Sequence, residues 1–501
     1  MLTEMKDVVV ILPGIMGSVL QKDDKDLWNV SGRAIWQVVK SLGNRLNDLK
    51  LEEDDLEGGN LGDGIIPTSL IRDTHLVPGL VKIDGYNRTA KLITDNFKVV
   101  KGDIYKDPQD KAANFYEFPY DWRRDNRANA HILKKLLDVR LRAWRKSSGN
   151  NNAKVILLAH SMGGLVSRYY LEVLEGWQDA RALFTFGTPY RGAVNAVNML
   201  ANGFIKGGID ITKALGMREI IGSLTSIYQL LPIYPVLQVG EDSKRIAEVT
   251  NLPNIDRDRA KQALAFHREI EAGVKANNHD AYATVPFVGV QQPTLQSAQF
   301  AEGKISVSRE LPLIMRNRNL DSLAEGDGTV PKISAFPIEF SDRDVLEIPG
   351  FIAEAHGSLQ NQPGILLNLL NKLQISQATS GTLEDIRGRG SEKSRSVRAT
   401  DKGISLLLDD LYLKDEPIIV KAKTNPDGLD FGGLKGHIVC VSDRRPDVNL
   451  DFVNQSDRWL SSPESLNLEP GLYRLKVMTE KTGAEAPNPV TDLFEVADFD
   501  S

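Results

Sequence analysis

Short apolar runs recur along the first three quarters of the chain. Each is followed by a small-residue or polar turn and then by apolar residues at helical spacing. The runs at 7–12, 97–100, 114–118, 155–158, 182–186, 284–289 and 345–348 read as strands. Residues 86–97, 130–144 and 365–373 read as helices; in the second, Ile132, Leu133, Leu136, Leu137 and Leu141 share one face. Strands alternating with helices predict an α/β architecture, a mostly parallel sheet covered on both faces. Beyond about residue 402 the pattern changes. Short strand-like runs at 404–408, 417–422, 436–441, 450–453, 472–478 and 492–496 follow with no long helix between them. That spacing predicts a small all-β, sandwich-like unit.

A chain of 501 residues exceeds one ordinary domain. The expected division is a catalytic unit over 1–375, a linker over 376–402 rich in Ser, Arg, Gly, Glu and Thr, and the β unit over 403–501. Two stretches of the first unit break the alternation. Residues 23–78 are loop-rich, with an acidic run at 52–55, and residues 194–280 turn helical and less regular. Both are expected to be insertions that form a cap or lid.

Composition narrows the function classes. The chain is 41% hydrophobic and 26% charged, as in globular proteins. A net charge of −6 without a long basic run gives no footprint for nucleic acid. No apolar stretch approaches a membrane span, and no basic then apolar leader opens the sequence. With Cys440 as the single cysteine, a disulfide within the chain is impossible and a structural zinc site is disfavoured. A reducing, cytoplasmic location is expected, with peripheral contact to a membrane compatible. No dinucleotide fingerprint or P-loop follows any strand.

One stretch carries chemistry. Val155-Ile156-Leu157-Leu158 is a buried strand, Ala159-His160-Ser161-Met162-Gly163-Gly164 is a turn of small residues around a serine, and Leu165, Val166, Tyr169, Tyr170 and Val173 then recur at helical spacing. Strand, sharp turn and helix make a nucleophile elbow. The strained turn requires small neighbours, which Ala159 and Gly163 supply. It also aims the Met162 N–H and a helix N-terminus at an incoming carbonyl oxygen. A plain Gly-rich turn with a chance serine is the bland alternative. A serine hydroxyl needs a base, and the base needs an orienting acid. In this architecture they follow the serine in the order acid, then histidine. Of the seven histidines, His75, His131 and His160 precede Ser161, His267 and His279 fall in the expected cap, and His437 falls in the β unit. His356 remains as the base. Asp327, in Gly326-Asp327-Gly328, is preferred as the acid over Asp321 and Asp342. The early turn Pro13-Gly14-Ile15-Met16-Gly17-Ser18 offers the Ile15 N–H as the second oxyanion donor. The expected activity is acyl transfer through Ser161, with neither metal nor organic cofactor. A small-ester carboxylesterase and a non-catalytic binding protein on the same scaffold are the alternatives.

Taken in order, several motifs resemble those of the lecithin:cholesterol acyltransferase family. They are Pro13 to Ser18, Tyr120-Asp121-Trp122-Arg123, Ala159 to Gly164, Phe186-Gly187-Thr188-Pro189, Gly289 to Thr294, Gly326-Asp327-Gly328-Thr329-Val330 and Ala355-His356-Gly357. The resemblance covers about residues 7–373. It implies an α/β-hydrolase fold with a cap and a mobile lid, an acyl-serine intermediate, and lipid ester substrates, often phospholipids, taken from a membrane surface. It matches Ile15 and Met162 to the family's oxyanion positions and residues 226–232 to the segment near its lid and acyl-chain track. The chain departs from the extracellular animal members in lacking lid disulfides and a secretion signal, and its β unit lies outside the resemblance.

Overall fold

The computed structural model describes residues 2–29, 41–57, 59–72, 74–79, 81–106, 112–277, 281–340, 350–379, 381–388, 402–425, 432–456, 459–461, 466–481, 483 and 486–498. The predicted strand at 345–348, Asp342 and His279 lie outside these residues.

Six strands make the central sheet. Their spatial order is Phe351–Ala353, Ala283–Val290, Ala180–Phe186, Val155–His160, Val8–Leu12, Phe115–Glu117, and every neighbouring pair is parallel. The innermost strands are apolar but for the terminal His160 because both faces are covered: Val8–Leu12 and Val155–His160 are buried at every position. In register, Leu158 lies between Ile11 and Phe184. Helices Asn126–Ser148, Gly163–Glu172 and Pro363–Gln377 are among those covering the sheet. The turns after Leu12, Glu117, His160, Phe186 and Ala353 all leave the carboxyl ends of parallel strands. That edge is where open α/β sheets place their ligands.

Several elements differ from expectation for local reasons. The helix predicted from residue 130 begins at Asn126, because the Asp125 side chain accepts the Arg127 N–H as an N-cap and the polar first turn is buried. Residues 194–280 carry helices Val194–Ala201 and Arg257–Ala276, but also the strand pair Leu237–Val239 and Asp242–Lys244. This pair joins the hairpin Ser297–Ala301 and Lys304–Ser308 in a four-stranded sheet that the apolar pattern did not predict. The polar stretch 376–402 is not wholly irregular. Leu383–Arg387 is a capped helix whose Ile386 is buried in the main core.

Beyond residue 402, one sheet orders Gly403–Leu407, Lys421–Asn425, Trp459–Ser461, Asn454–Ser456, and a second orders Leu411–Leu413, Val490–Ala497, Gly471–Thr479, Leu434–Cys440, Val448–Asp451. They enclose their own core of Ile404, Val420, Ile438, Leu475, Val477 and Phe494. No described helix is long and apolar enough to cross a membrane.

Candidate active site

Ser161 follows the strand Val155–His160 with φ +51°, a left-handed conformation that costs a non-glycine residue energy and that the surroundings enforce. Its N–H donates to the Phe186 carbonyl at 2.9 Å. Its own carbonyl accepts the Gly164 N–H at 3.0 Å and the Thr188 hydroxyl at 2.9 Å. Helix Gly163–Glu172 starts at once, and a methyl group on Gly163 would stand 2.4 Å from the Pro13 carbonyl oxygen. The small residues of the elbow are therefore a packing requirement against the neighbouring strand's turn.

His356 opens a short helical turn after the strand Phe351–Ala353. Its Nε2 is 3.0 Å from Ser161 Oγ, and its Nδ1 is 2.7 Å from Asp327 Oδ2. The Asp327 carboxylate can only accept, so Nδ1 carries the hydrogen and Nε2 presents its lone pair to the serine hydroxyl. Asp327 is itself fixed. Its Oδ1 accepts the Thr329 N–H at 3.0 Å and the Val330 N–H at 2.7 Å, and its carbonyl accepts the His356 N–H at 2.8 Å. The turn bearing it is bridged to Gln292, the continuation of the strand Ala283–Val290. Asp321 lies exposed on its own turn. Gly187, at φ +60°, passes so close that a Cβ would stand 2.9 Å from His356 Nδ1 and 3.0 Å from Asp327 Oδ2.

The turn after Leu12 is held from several sides. Tyr120 donates its hydroxyl to the Pro13 carbonyl at 2.9 Å, Trp28 its indole N–H to the Met16 carbonyl at 3.2 Å, and Trp122 its own to the Ser18 carbonyl at 3.1 Å. The Gly14 carbonyl accepts the Gly17 N–H at 3.1 Å. A trans peptide then turns the Ile15 N–H the opposite way. Met162 begins the helix after Ser161. Among the described residues, neither the Ile15 nor the Met162 N–H has a backbone acceptor outside regular structure.

Sequence reasoning missed one relay. The buried Tyr86 hydroxyl accepts the Gly14 N–H at 2.8 Å and lies 3.0 Å from His160 Nδ1, while His160 Nε2 lies 3.2 Å from the His356 carbonyl oxygen. Burial, with His356 alongside, holds the His160 ring well below its ordinary pKa, so it is neutral. Its Nε2–H must therefore donate to the carbonyl, and its Nδ1 must accept from Tyr86. This chain ties the Gly14 turn to the His356 loop behind Ser161. Chain order set His160 aside as a base; its position beside the serine was the available sign of another role.

Two cavities meet at His356. One, of about 30 Å³, reaches Ser161 and is lined by apolar side chains that include Ile15, Ile83, Pro189, Ala196, Leu230 and Val330. Leu230 belongs to the 226–232 stretch, which is anchored by Ser226 donating to the Trp122 carbonyl at 2.6 Å and by Gln229 donating to Asp125 at 2.7 Å. The aromatic-basic turn is further locked by Arg123, paired with Asp121 at 2.6 Å and Asp63 at 2.8 Å, and by Arg124, paired with Asp54 at 2.9 Å. These pairs fasten the loop-rich 48–63 region to the sheet. Among the described residues no group of three His, Cys, Asp or Glu side chains could hold a metal ion.

A wholly parallel central sheet, a serine on a strained strand-to-helix turn and a histidine–aspartate pair from later loops define an α/β-hydrolase. Residues 108–278 match the family model described as lecithin:cholesterol acyltransferase, so the kinship expected from the motifs is borne out over that stretch. The lysosomal phospholipase A and acyltransferase of Homo sapiens is 32% identical over 117 residues, which are 23% of this chain and 27% of that protein. The Rattus norvegicus protein of the same name is 31% identical over equal shares. The matched stretch thus spans about a quarter of the length of these curated relatives. Among solved structures, the mature form of Bacillus licheniformis lipase BlEst2 aligns at a TM-score of 0.33 and 13% identity, covering 74% of this chain and 94% of that one. Its propeptide form aligns at 0.33 and 10%, covering 98% and 94%.

Proposed function

We propose that the protein is a serine-dependent lipid acyl hydrolase or O-acyltransferase working through an acyl-serine intermediate, with Ser161, His356 and Asp327 as its triad. The observation that carries the reading is the continuous hydrogen-bonded line from Asp327 through His356 to Ser161 Oγ, opening on an apolar cavity. His356 takes the Ser161 proton as Oγ attacks the ester carbonyl carbon. The Ile15 and Met162 N–H groups receive the oxyanion, each contributing about 3 kcal/mol of transition-state stabilisation. The carbon–oxygen bond to the alcohol then breaks, and the departing oxygen takes the proton from His356. Water or a second alcohol, deprotonated by His356, releases the acyl group.

Lipid esters, phospholipids included, are the proposed substrates, because the matched family and relatives are named for acyl transfer and phospholipase action. The cavity at Ser161 is about 30 Å³, and movement of its walls is proposed to admit an acyl chain. Residues 194–280, which bring Leu230 to the cavity, are the proposed cap. The proposed setting is the cytoplasm at a membrane surface, a choice that rests on the single cysteine and that fractionation of tagged protein would test.

The test is incubation with phospholipid vesicles, with and without a long-chain alcohol, beside Ser161→Ala, with products read by mass spectrometry. Ser161-dependent fatty acid that ignores the alcohol identifies a phospholipase, and acylated alcohol identifies a transferase. Unchanged products from Ser161→Ala would refute the reading.

A further inference from the structure

The β unit is seated against the loops that carry the proposed base and acid. Gln292, beside the Asp327 turn, donates through Nε2 to the Ile404 carbonyl at 2.9 Å and accepts the Leu406 N–H at 3.1 Å. Lys82 is paired with Asp410 at 2.8 Å and with Asp492 at 3.0 Å. The Asp410 carboxylate also accepts the Gly79 N–H at 2.7 Å. Glu354, two residues before His356, accepts the Thr491 N–H at 2.9 Å. Arg474 and Asp84 complete the seam as an ion pair.

This seam is not closed. It encloses a second cavity of about 130 Å³, walled on one side by Asp327, Thr329 and His356 and on the other by Leu407, Leu408 and Asp410 of the β unit. The two cavities share Lys82, Asn195, Thr329 and His356, so they adjoin at the histidine, and of the two only the first reaches Ser161. They differ in chemistry. The Ser161 cavity is apolar, whereas the seam cavity presents hydrogen-bond acceptors. Lys82 is already engaged by two carboxylates, and Arg309 sits exposed at the rim. The Asn195 Oδ1 is buried with no hydrogen-bond partner, which is costly unless a donor arrives. Leu407 is half-buried and absent from the sandwich core, leaving it free to face the cavity.

Geometry assigns the two sides. The acyl carbon is bonded to Ser161, and the alcohol must leave past His356, which protonates it. We infer that the seam cavity receives the alcohol portion of the ester, that it suits a hydroxyl-bearing group, and that the β unit sets alcohol specificity through the Leu407 wall, with Asn195 accepting a hydroxyl. This rests on the acyl-serine reading above. The β unit is then a wall of the site and not an appendage, and Leu407 and Asn195 are specificity-determining residues.

The test compares 1-monooleoylglycerol with propyl oleate, two uncharged esters with one acyl chain and a three-carbon alcohol that differ in its free hydroxyls. The intact chain is assayed beside Leu407→Trp, Asn195→Ala and Ser161→Ala, with folding checked by circular dichroism. The wild type is expected to favour the glyceryl ester in kcat/KM by about tenfold or more, the discrimination typical of a matched polar contact. Leu407→Trp, which fills the cavity, and Asn195→Ala, which removes the acceptor, are each expected to bring that ratio close to one. Asn195→Ala carries the test alone if the tryptophan variant does not fold. A wild-type ratio near one, or a ratio unmoved in both folded variants, overturns the inference while leaving the acyl-serine reading standing. Absence of Ser161-dependent release from both esters overturns the reading and the inference together.

Discussion

Replacing Glu354 by glutamine is expected to make the protein more resistant to unfolding at alkaline pH than the wild type. The Glu354 carboxyl is 2% exposed, and its Oε1 accepts the Ala355 N–H at 3.0 Å and the Thr491 N–H at 2.9 Å across the seam. Lys82 and Arg474 lie in the same seam but are engaged by Asp410, Asp492 and Asp84. Burial raises the pKa of Glu354 from 4.5 to about 8, with the charges of Asp492 and Asp84 adding to the rise and the two N–H donors opposing it. The folded state therefore binds a proton that the unfolded chain releases. Stability from this group is complete below the unfolded value and falls as pH rises from 4.5 toward 8. Between pH 5 and pH 8 the wild type should lose about 3.5 kcal/mol relative to Glu354→Gln, whose neutral amide does not titrate. With an unfolding entropy near 2 cal/mol/K per residue, that is about 3 °C for cooperative unfolding of a chain this size. Scanning calorimetry of both proteins from pH 5 to pH 9 gives the difference directly, because every other titrating group is common to the pair. A gap in Tm that stays constant with pH would show that the carboxyl is ionised in the fold and would refute the argument.

Other outcomes follow from the site. Tyr86→Phe removes the acceptor of the Gly14 N–H and the donor to His160; it should lower kcat about tenfold, roughly 1.4 kcal/mol, with KM little changed. A fall in Tm with kcat intact would confine Tyr86 to the fold. Asp327→Asn should preserve the shape yet lower kcat about 10⁴-fold, since an amide no longer fixes the His356 tautomer; single-turnover rates would reveal a smaller effect and contradict the assignment. His267, buried and donating to the Gln229 carbonyl at 2.8 Å, is lowered to about 4 by burial. The unfolded chain takes up its proton first, so stability should fall as pH drops from 6.5 toward 4, by up to about 1.4 kcal/mol per pH unit relative to His267→Gln in chemical denaturation.

The elbow was legible because its information is local: four buried aliphatics, small residues and a helical stripe occupy one short window around Ser161. Asp327 and His356 could be nominated because chain order constrains them, although only the fold brings residues 166 and 195 positions away from Ser161 into line. Features set by long-range contact were not legible. The Tyr86–His160 relay joins residues 74 apart in sequence, and no spacing rule announces it. The first turn of helix Asn126–Ser148 is polar, so periodicity began the helix four residues late, where the apolar stripe starts. Low hydrophobicity also hid the helix Leu383–Arg387, which docks through the buried Ile386 with Leu383 packed against the same core. The hairpin Ser297–Ser308 pairs with a strand pair some sixty residues earlier, and its short, mixed strands read as loop without that partner. The sandwich pattern was visible in the sequence, but its seat beside His356 depends on Gln292, Lys82 and Glu354, which look like ordinary surface residues until the seam buries them.

Acyl transfer to Ser161 is the step on which the proposed chemistry depends. The most direct measurement is rapid quenching of the protein during turnover of a long-chain ester, followed by mass spectrometry of the intact chain and its peptides. An adduct of acyl mass on the Ser161 peptide, lost in Ser161→Ala and formed more slowly in Asp327→Asn, is the predicted result. Turnover that proceeds in Ser161→Ala, or an acyl group found on another residue, would contradict it.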